Sequence, residues 1–196
     1  MTGDIRSSTF IMKESIDFRQ FATLVNVLVA TVSKNLRRYR GWFDKFTGDG
    51  FLAYWVLGDR HETDYLAEVV SMSRVIVNAF TDKVEPGLRR NARNFPERSG
   101  LSIGLDSGPG YFAEVAGQLT VVGPPVVGAV RMVGAAEPRE IIANVHIGER
   151  WLETPDLLRE TDVEIIADVR ATKEYPKGQV VYKIAKPTLS SQALAG

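Results

Sequence analysis

Two aspartates stand at marked points of the chain, Asp4 in the opening MTGDIRSST and Asp49 in KFTGDGFLAYW. Asp-Gly between apolar, strand-like runs is a strong hairpin signal, because such turn positions tolerate positive φ, and it places Asp49 at a hairpin tip. Asp4 is expected to close a very short first strand. Ser7, Ser8 and Thr9 would then offer hydroxyls and backbone N–H groups at the entrance to a helix. Two carboxylates beside open N–H groups suit metal-bound phosphate. Each motif alone has a plainer reading, a turned chain or a capped helix; their conjunction is what points to a site.

Composition removes most other chemistries. The 196 residues contain no cysteine and only two histidines, His61 and His146, which excludes disulfides, thiolate zinc sites and cysteine nucleophiles and leaves few Ser-His arrangements. Catalysis would rest on carboxylates, Lys and Arg. Acidic and basic residues balance at 24 each, so no net field points to nucleic acid. No run of 18 apolar residues could span a membrane, and Asp4 and Arg6 interrupt any secretory leader, so a cytoplasmic protein is expected. At 44% hydrophobic and 24% charged, the chain can bury the core of one domain, taken as residues 1–186, with a small, polar, loose tail over 187–196.

The elements that would carry these residues alternate between helix and strand. Phe18, Phe21, Val25, Leu28, Val32 and Leu36 recur at helical spacing, predicting a helix over about 15–39 that Gly41 ends. Trp42–Thr47 and Phe51–Val56 form the hairpin around Asp49. A second helix carries Leu66, Val69, Met72, Ile76 and Phe80, and Pro86-Gly87 is expected to stop it before an exposed basic loop reaching Ser99. Leu101–Leu105 and Tyr111–Val115 read as strands around Ser107-Gly108-Pro109-Gly110, with a further strand at Gln118–Val122. A third helix follows Gly123, Ile141–Ala143 is a buried strand, and Val163–Val169 and Gln179–Ile184 pair as a ribbon with its turn near Pro176-Lys177-Gly178. Asp44, Asp106 and Glu114 read as structural or exposed. Trp42, Tyr54 and Trp55 read as core or interface aromatics, one of which could border a base pocket.

In order and spacing, DIRSST, KFTGDGFLAYW, LSIGLDSGPGYFAEVAG and TVVGPPVVGAVRMVGAAEPREIIAN resemble the catalytic domain of class III nucleotide cyclases over about residues 3–182. DIRSST and GPPVVGAVRM are most similar to the pyrimidine cyclases of Pycsar antiphage systems. The resemblance implies an α+β fold with a ferredoxin-like core, an antiparallel sheet and flanking helices, and a head-to-tail homodimer with two composite sites. It implies that Asp4 and Asp49, with the Ile5 carbonyl, bind two Mg²⁺ or Mn²⁺ ions. It also implies that Arg131 stabilises the transition-state phosphate, that Lys177 binds the triphosphate tail and that Lys45 reads the base. In the family the last three come from the subunit opposite the metal aspartates. The product would be a cyclic mononucleotide acting on a separate effector in antiphage defence.

Departures from the family pattern carry the substrate argument. Thr120 stands where purine cyclases commonly have an aspartate. Val127, one turn before Arg131, replaces an asparagine that orients the ribose. Lys45 as donor and Thr120 answering an N–H fit uracil's carbonyl-rich edge. Cytosine's amino group would want an acceptor, and no carboxylate is evident at that position. UTP is therefore expected over CTP, with an adenylate, guanylate or cytidylate cyclase as alternatives and a non-catalytic nucleotide-binding homologue as a third reading. Only Met1, Thr2 and Gly3 precede Asp4. A short or late-starting first strand would leave Asp4 loose, and a misplacement of about 1 Å costs on the order of a hundredfold in rate.

Overall fold

The computed structural model describes residues 1–58, 62–154, 156, 161–173 and 175–185. His61 and the tail from Pro187 lie outside the described residues. Seven strands form one sheet: β1 (Thr2–Arg6), β2 (Trp42–Phe46), β3 (Gly50–Tyr54), β4 (Gly100–Leu105), β7 (Ile141–Ala143), β8 (Glu164–Arg170) and β9 (Gln179–Ala185). Their order is β2-β3-β1-β4-β7-β9-β8, antiparallel except between β4 and β7. β5 (Tyr111–Val115) and β6 (Gln118–Val122) pair only with each other, as a separate hairpin.

Alternation along the strands divides the sheet into two faces. Ile5, Phe51, Ala53, Leu101, Ile103, Leu105, Ile141 and Ala143 join the main core on one face. The stripe of α2 (Phe18–Arg38), Phe21, Val25, Leu28, Val32 and Leu36, packs into that core together with Leu66, Val69, Met72 and Ile76 of α3 (Glu62–Ala79). The other face carries α5 (Pro124–Ala135). A Cβ on Gly104 of β4 would lie 2.2 Å from Ala129 O and 2.3 Å from Val133 N, so glycine is what allows helix and strand to touch there. Met132 and Ala136 pack with Ile142 and Val181 in a small second core. Asp4 alternates with Ile5 and so lies on the α5 face. Lys45, paired with Leu52, which aligns with Thr2, shares that face.

Two expectations are corrected, at Asp4 and at Pro86-Gly87. Asp4 does not close a very short first strand: it is the third of five residues in a central one, opposite Gly50 on β3 and Ser102 on β4. The helix expected over about 15–39 is α2, preceded by a separate short helix, α1 (Ser8–Glu14), and Asp17 caps α2 by accepting from the Arg19 N–H at 2.8 Å. Pro86-Gly87 does not stop the second helix. A π-helical segment, Phe80–Val84, leads into α4 (Glu85–Arg90), and Pro86 sits in its first turn, where its missing N–H costs nothing. The strands expected on either side of Ser107–Gly110 form but belong to different sheets: β4 pairs with β1 and β7, whereas β5 turns back to β6 through Ala116 and Gly117, both at positive φ. α6 (Val145–Leu152), which the hydrophobic pattern did not flag, starts where Asn144 accepts from the Ile147 N–H at 3.1 Å. Among the described residues no helix is long and apolar enough to cross a membrane.

Candidate functional site

Asp49 reaches its place through a two-residue turn. Thr47 N donates to Gly50 O at 3.0 Å, and positive φ falls on Gly48 (98°), so the residue that relieves the turn precedes Asp49 instead of following it. The turn ends beside Asp4, since Gly50 and Asp4 are register partners. The two carboxylates feel each other. Burial, then the negative charge of Asp49, push the Asp4 carboxyl up to about 6, while Arg6, with Nη1 3.7 Å from Asp4 Oδ2, pulls the other way. Arg6 Nη1 is itself anchored on Val133 O at 2.8 Å.

The three hydroxyls after Asp4 are not equivalent. Ser8 is buried and its Oγ donates to Asp49 Oδ2. Ser7, at the N-cap position, adopts φ 62°, makes no side-chain cap, and donates its Oγ to Arg98 O at 3.0 Å. The expected helix-entrance cradle is therefore not built by serine capping. Thr9 is exposed. Ile5 is buried, with 1% of the residue exposed, backbone included. Arg6, Ser7 and Arg98 border an open pocket of about 360 Å³ next to this cluster.

Two carboxylates, a serine hydroxyl and a backbone carbonyl make a hard-oxygen donor set, which fits Mg²⁺ or Mn²⁺ and not a thiolate- or imidazole-seeking metal. Burial raises the Asp4 pKa most, and the further rise from the charge of Asp49 is what a divalent cation held by the pair would relieve. Among the described residues no three His, Cys, Asp or Glu side chains cluster, so the set stays at two carboxylates.

A second cluster gathers at the edge strand. Lys45 Nζ lies 3.4 Å from Asp44 Oδ2, and the same oxygen accepts from Thr120 Oγ1 at 2.6 Å. Asp44 Oδ1 accepts from the Val121 N–H at 3.0 Å. The expectation that no carboxylate stands at Thr120 is thus corrected: one arrives from the neighbouring strand. Its sequence signal was a carboxylate directly before Lys45 within a strand. Beside this cluster, Tyr54, Phe112, Val121, Pro125 and Val126 line part of an apolar cavity of about 340 Å³. Lys45 and Thr120 are not among its lining residues. Burial and the charge of Asp44 push the Tyr54 hydroxyl pKa up, and its ring meets Phe112 edge-on at 5.4 Å.

Arg131 and Lys177 are the remaining candidates. Arg131 is half-buried on α5, one turn after the exposed Val127. Lys177 is exposed in the turn closed by Gly178 N donating to Tyr175 O at 2.9 Å. β4 and β7 separate its ribbon from β1, a lateral distance of about 14 Å at ordinary strand spacing. One chain therefore unites Asp4, Asp49 and Ser8, and separately Asp44, Lys45 and Thr120, but does not bring Lys177 to the aspartates.

No family model and no curated protein matches the chain. Solved structures do. The adenylyl cyclase CyaB from P. aeruginosa superposes with a TM-score of 0.69 at 20% identity, over 96% of this chain and 93% of that one. The guanylate cyclase domain of RhGC from Catenaria anguillulae, solved with GTP, gives 0.67 at 14%, over 95% and 94%. A non-canonical dimeric guanylyl cyclase domain of the RhoGC fusion protein from the aquatic fungus Blastocladiella emersonii gives 0.66 at 16%, over 95% and 93%. Across nearly its whole length, the chain has the α+β fold of class III cyclase catalytic domains.

Proposed function

We propose that the protein is a nucleotide cyclase that converts UTP to 3′,5′-cyclic UMP and pyrophosphate. The observation that carries the reading is the meeting of Asp4 and Asp49 on the α5 face of the sheet, with the charge of one pressing on the other. These carboxylates and the Ile5 carbonyl would hold Mg²⁺ or Mn²⁺, which when bound neutralises phosphate charge and acidifies the ribose 3′-hydroxyl. The 3′-oxygen forms a bond to the α-phosphorus as the bond to the β-phosphate oxygen breaks, and pyrophosphate departs. The chain needs no nucleophile of its own. Its work is orientation and charge stabilisation: Arg131 on the transferring phosphate, Lys177 on the triphosphate tail, Thr9 and the Ser7–Ser8 backbone near the phosphates, and Lys45 with Thr120 on the base.

The separation of Lys177 from the aspartates supports a homodimer in which each site takes groups from both copies. An exposed apolar surface is available for it, with Tyr111 at 71% and Leu119 at 69% on the β5–β6 hairpin and Val130 on α5. A cyclic-nucleotide-activated effector and a role in antiphage defence rest on the resemblance of DIRSST and GPPVVGAVRM alone.

The same fold occurs in adenylyl and guanylyl cyclases, which supports a purine reading. The Asp44 carboxylate beside Thr120 supplies the acceptor that cytosine lacked in the sequence argument, which supports CTP. Incubation with all four triphosphates and Mn²⁺, with products separated by mass, decides. Cyclic UMP in excess is expected; predominant cyclic AMP or GMP overturns the pyrimidine reading, and no cyclic product overturns the cyclase reading.

A further inference from the structure

Asp44 is a carboxylate with 1% of its side chain exposed. It lies where the β2–β3 register shifts between Phe43 and Lys45, an irregularity of the kind that re-aims a side chain. Burying a carboxylate is costly unless donors surround it. Here three do: Thr120 Oγ1 at 2.6 Å, Val121 N at 3.0 Å and Lys45 Nζ at 3.4 Å. Two of them belong to the β5–β6 hairpin, which shares no backbone ladder with the main sheet. Asp44 therefore both ties the hairpin to β2 and fixes the direction of its hydrogen bonds.

That direction has a chemical consequence. A carboxylate only accepts, so the Thr120 hydroxyl proton is committed to Asp44 and Thr120 can offer a ligand lone pairs alone. Lys45 offers N–H donors alone. Resting on the cyclase reading above, we infer that Asp44 is a positioning residue for base selectivity, holding Thr120 as acceptor beside Lys45 as donor. Such a pair reads a base edge with a carbonyl or ring nitrogen next to an N–H, as in O4 and N3–H of uracil. Cytosine's N3 and N4 amino group fit the same pair, whereas its adjacent N3 and O2 acceptors fit only two donors.

Asp44→Asn inverts this with little change of shape. The amide oxygen can keep the Val121 N–H, while the amide nitrogen donates to Thr120 and frees its hydroxyl to donate to the base. The test is kcat/KM for the four triphosphates with wild type, Asp44→Asn, Thr120→Val and the double variant. Displacement of N-methylanthraniloyl-UTP by each triphosphate is measured in parallel. CTP is expected to gain at least tenfold on the preferred triphosphate in Asp44→Asn. Because the effect runs through the Thr120 hydroxyl, Asp44→Asn should add nothing to that ratio in the Thr120→Val background. If all four triphosphates fall in proportion, or the two changes act independently on the ratio, Asp44 is a structural tie only and the inference fails. A wild type that binds the probe without forming a cyclic product overturns the cyclase reading, and the displacement ratios then decide the inference. Displacement by none of the four overturns both.

Discussion

The two polar clusters of this chain are built in opposite ways. Asp4 and Asp49 are placed by backbone ladders: β1 is paired on both sides, and the Asp49 turn hangs directly from β3. Asp44, Lys45 and Thr120 are joined by side-chain bonds across a gap between an edge strand and a detached hairpin. A ladder holds a group to within tenths of an ångström at no further cost. A side-chain tie can be loosened or reversed by one substitution. Placing the proposed reaction chemistry on the first and the proposed base reading on the second leaves substrate choice changeable without disturbing the aspartate pair.

The largest effect should come from the laddered cluster. Asp49→Ala removes one of the two carboxylates proposed to hold metal and is expected to lower turnover by a thousandfold or more, on the order of 4 kcal/mol. It should leave the melting temperature within a few degrees, because the side chain lies in a turn outside the core. Activity retained with Mn²⁺ would break the metal assignment. Mixing inactive Asp49→Ala with inactive Arg131→Ala should restore about a quarter of wild-type activity, since half of randomly exchanged dimers keep one of two sites. Proven subunit exchange without rescue would show that a single copy supplies the whole site.

Gly104→Ala tests the rigid side by its packing. The added Cβ would meet Ala129 O and Val133 N, which are backbone atoms that cannot swing aside, so α5 must lift from β4. A loss of about 1–3 kcal/mol is expected, read by denaturant midpoint at unchanged slope. Arg6 loses its anchor on Val133 in the same displacement. UTP turnover should exceed that of ATP by more than tenfold in direct competition, about 1.4 kcal/mol of discrimination. Because that margin belongs to the side-chain cluster, Gly104→Ala should lower both rates without closing the gap between them.

How much of this was legible in the sequence follows the same division. Asp4 and Asp49 could be found because their signals are local, a strand and an adjoining turn, as was the α2 stripe. Pairing order was not local. β4 lies beside β1 and β7, far away in sequence, whereas its nearest downstream strand, β5, belongs to another sheet. Pro86-Gly87 read as a stop because a π-helical segment, which lets a helix restart at Pro86, leaves no periodic trace. Asp44 was passed over because its role needs the bulge before Lys45 and a hairpin that arrives 76 residues later.

The smallest effect should separate the two regions most cleanly. Ala116 and Gly117 turn the β5–β6 hairpin with φ of 52° and 76°, and a Cβ on Gly117 would meet nothing within 4 Å. Gly117→Ala therefore carries backbone cost without clash, about 1 kcal/mol for a left-handed alanine. If the hairpin is held to the sheet chiefly by Asp44, that cost falls on local opening of β5 and β6. Their amides should exchange about fivefold faster, the factor equivalent to 1 kcal/mol, while those of β1 and β4 keep their wild-type rates. Equal acceleration in both sheets would mean that hairpin and core open as one unit, and the contrast between a laddered reaction centre and a tied base reader would not hold.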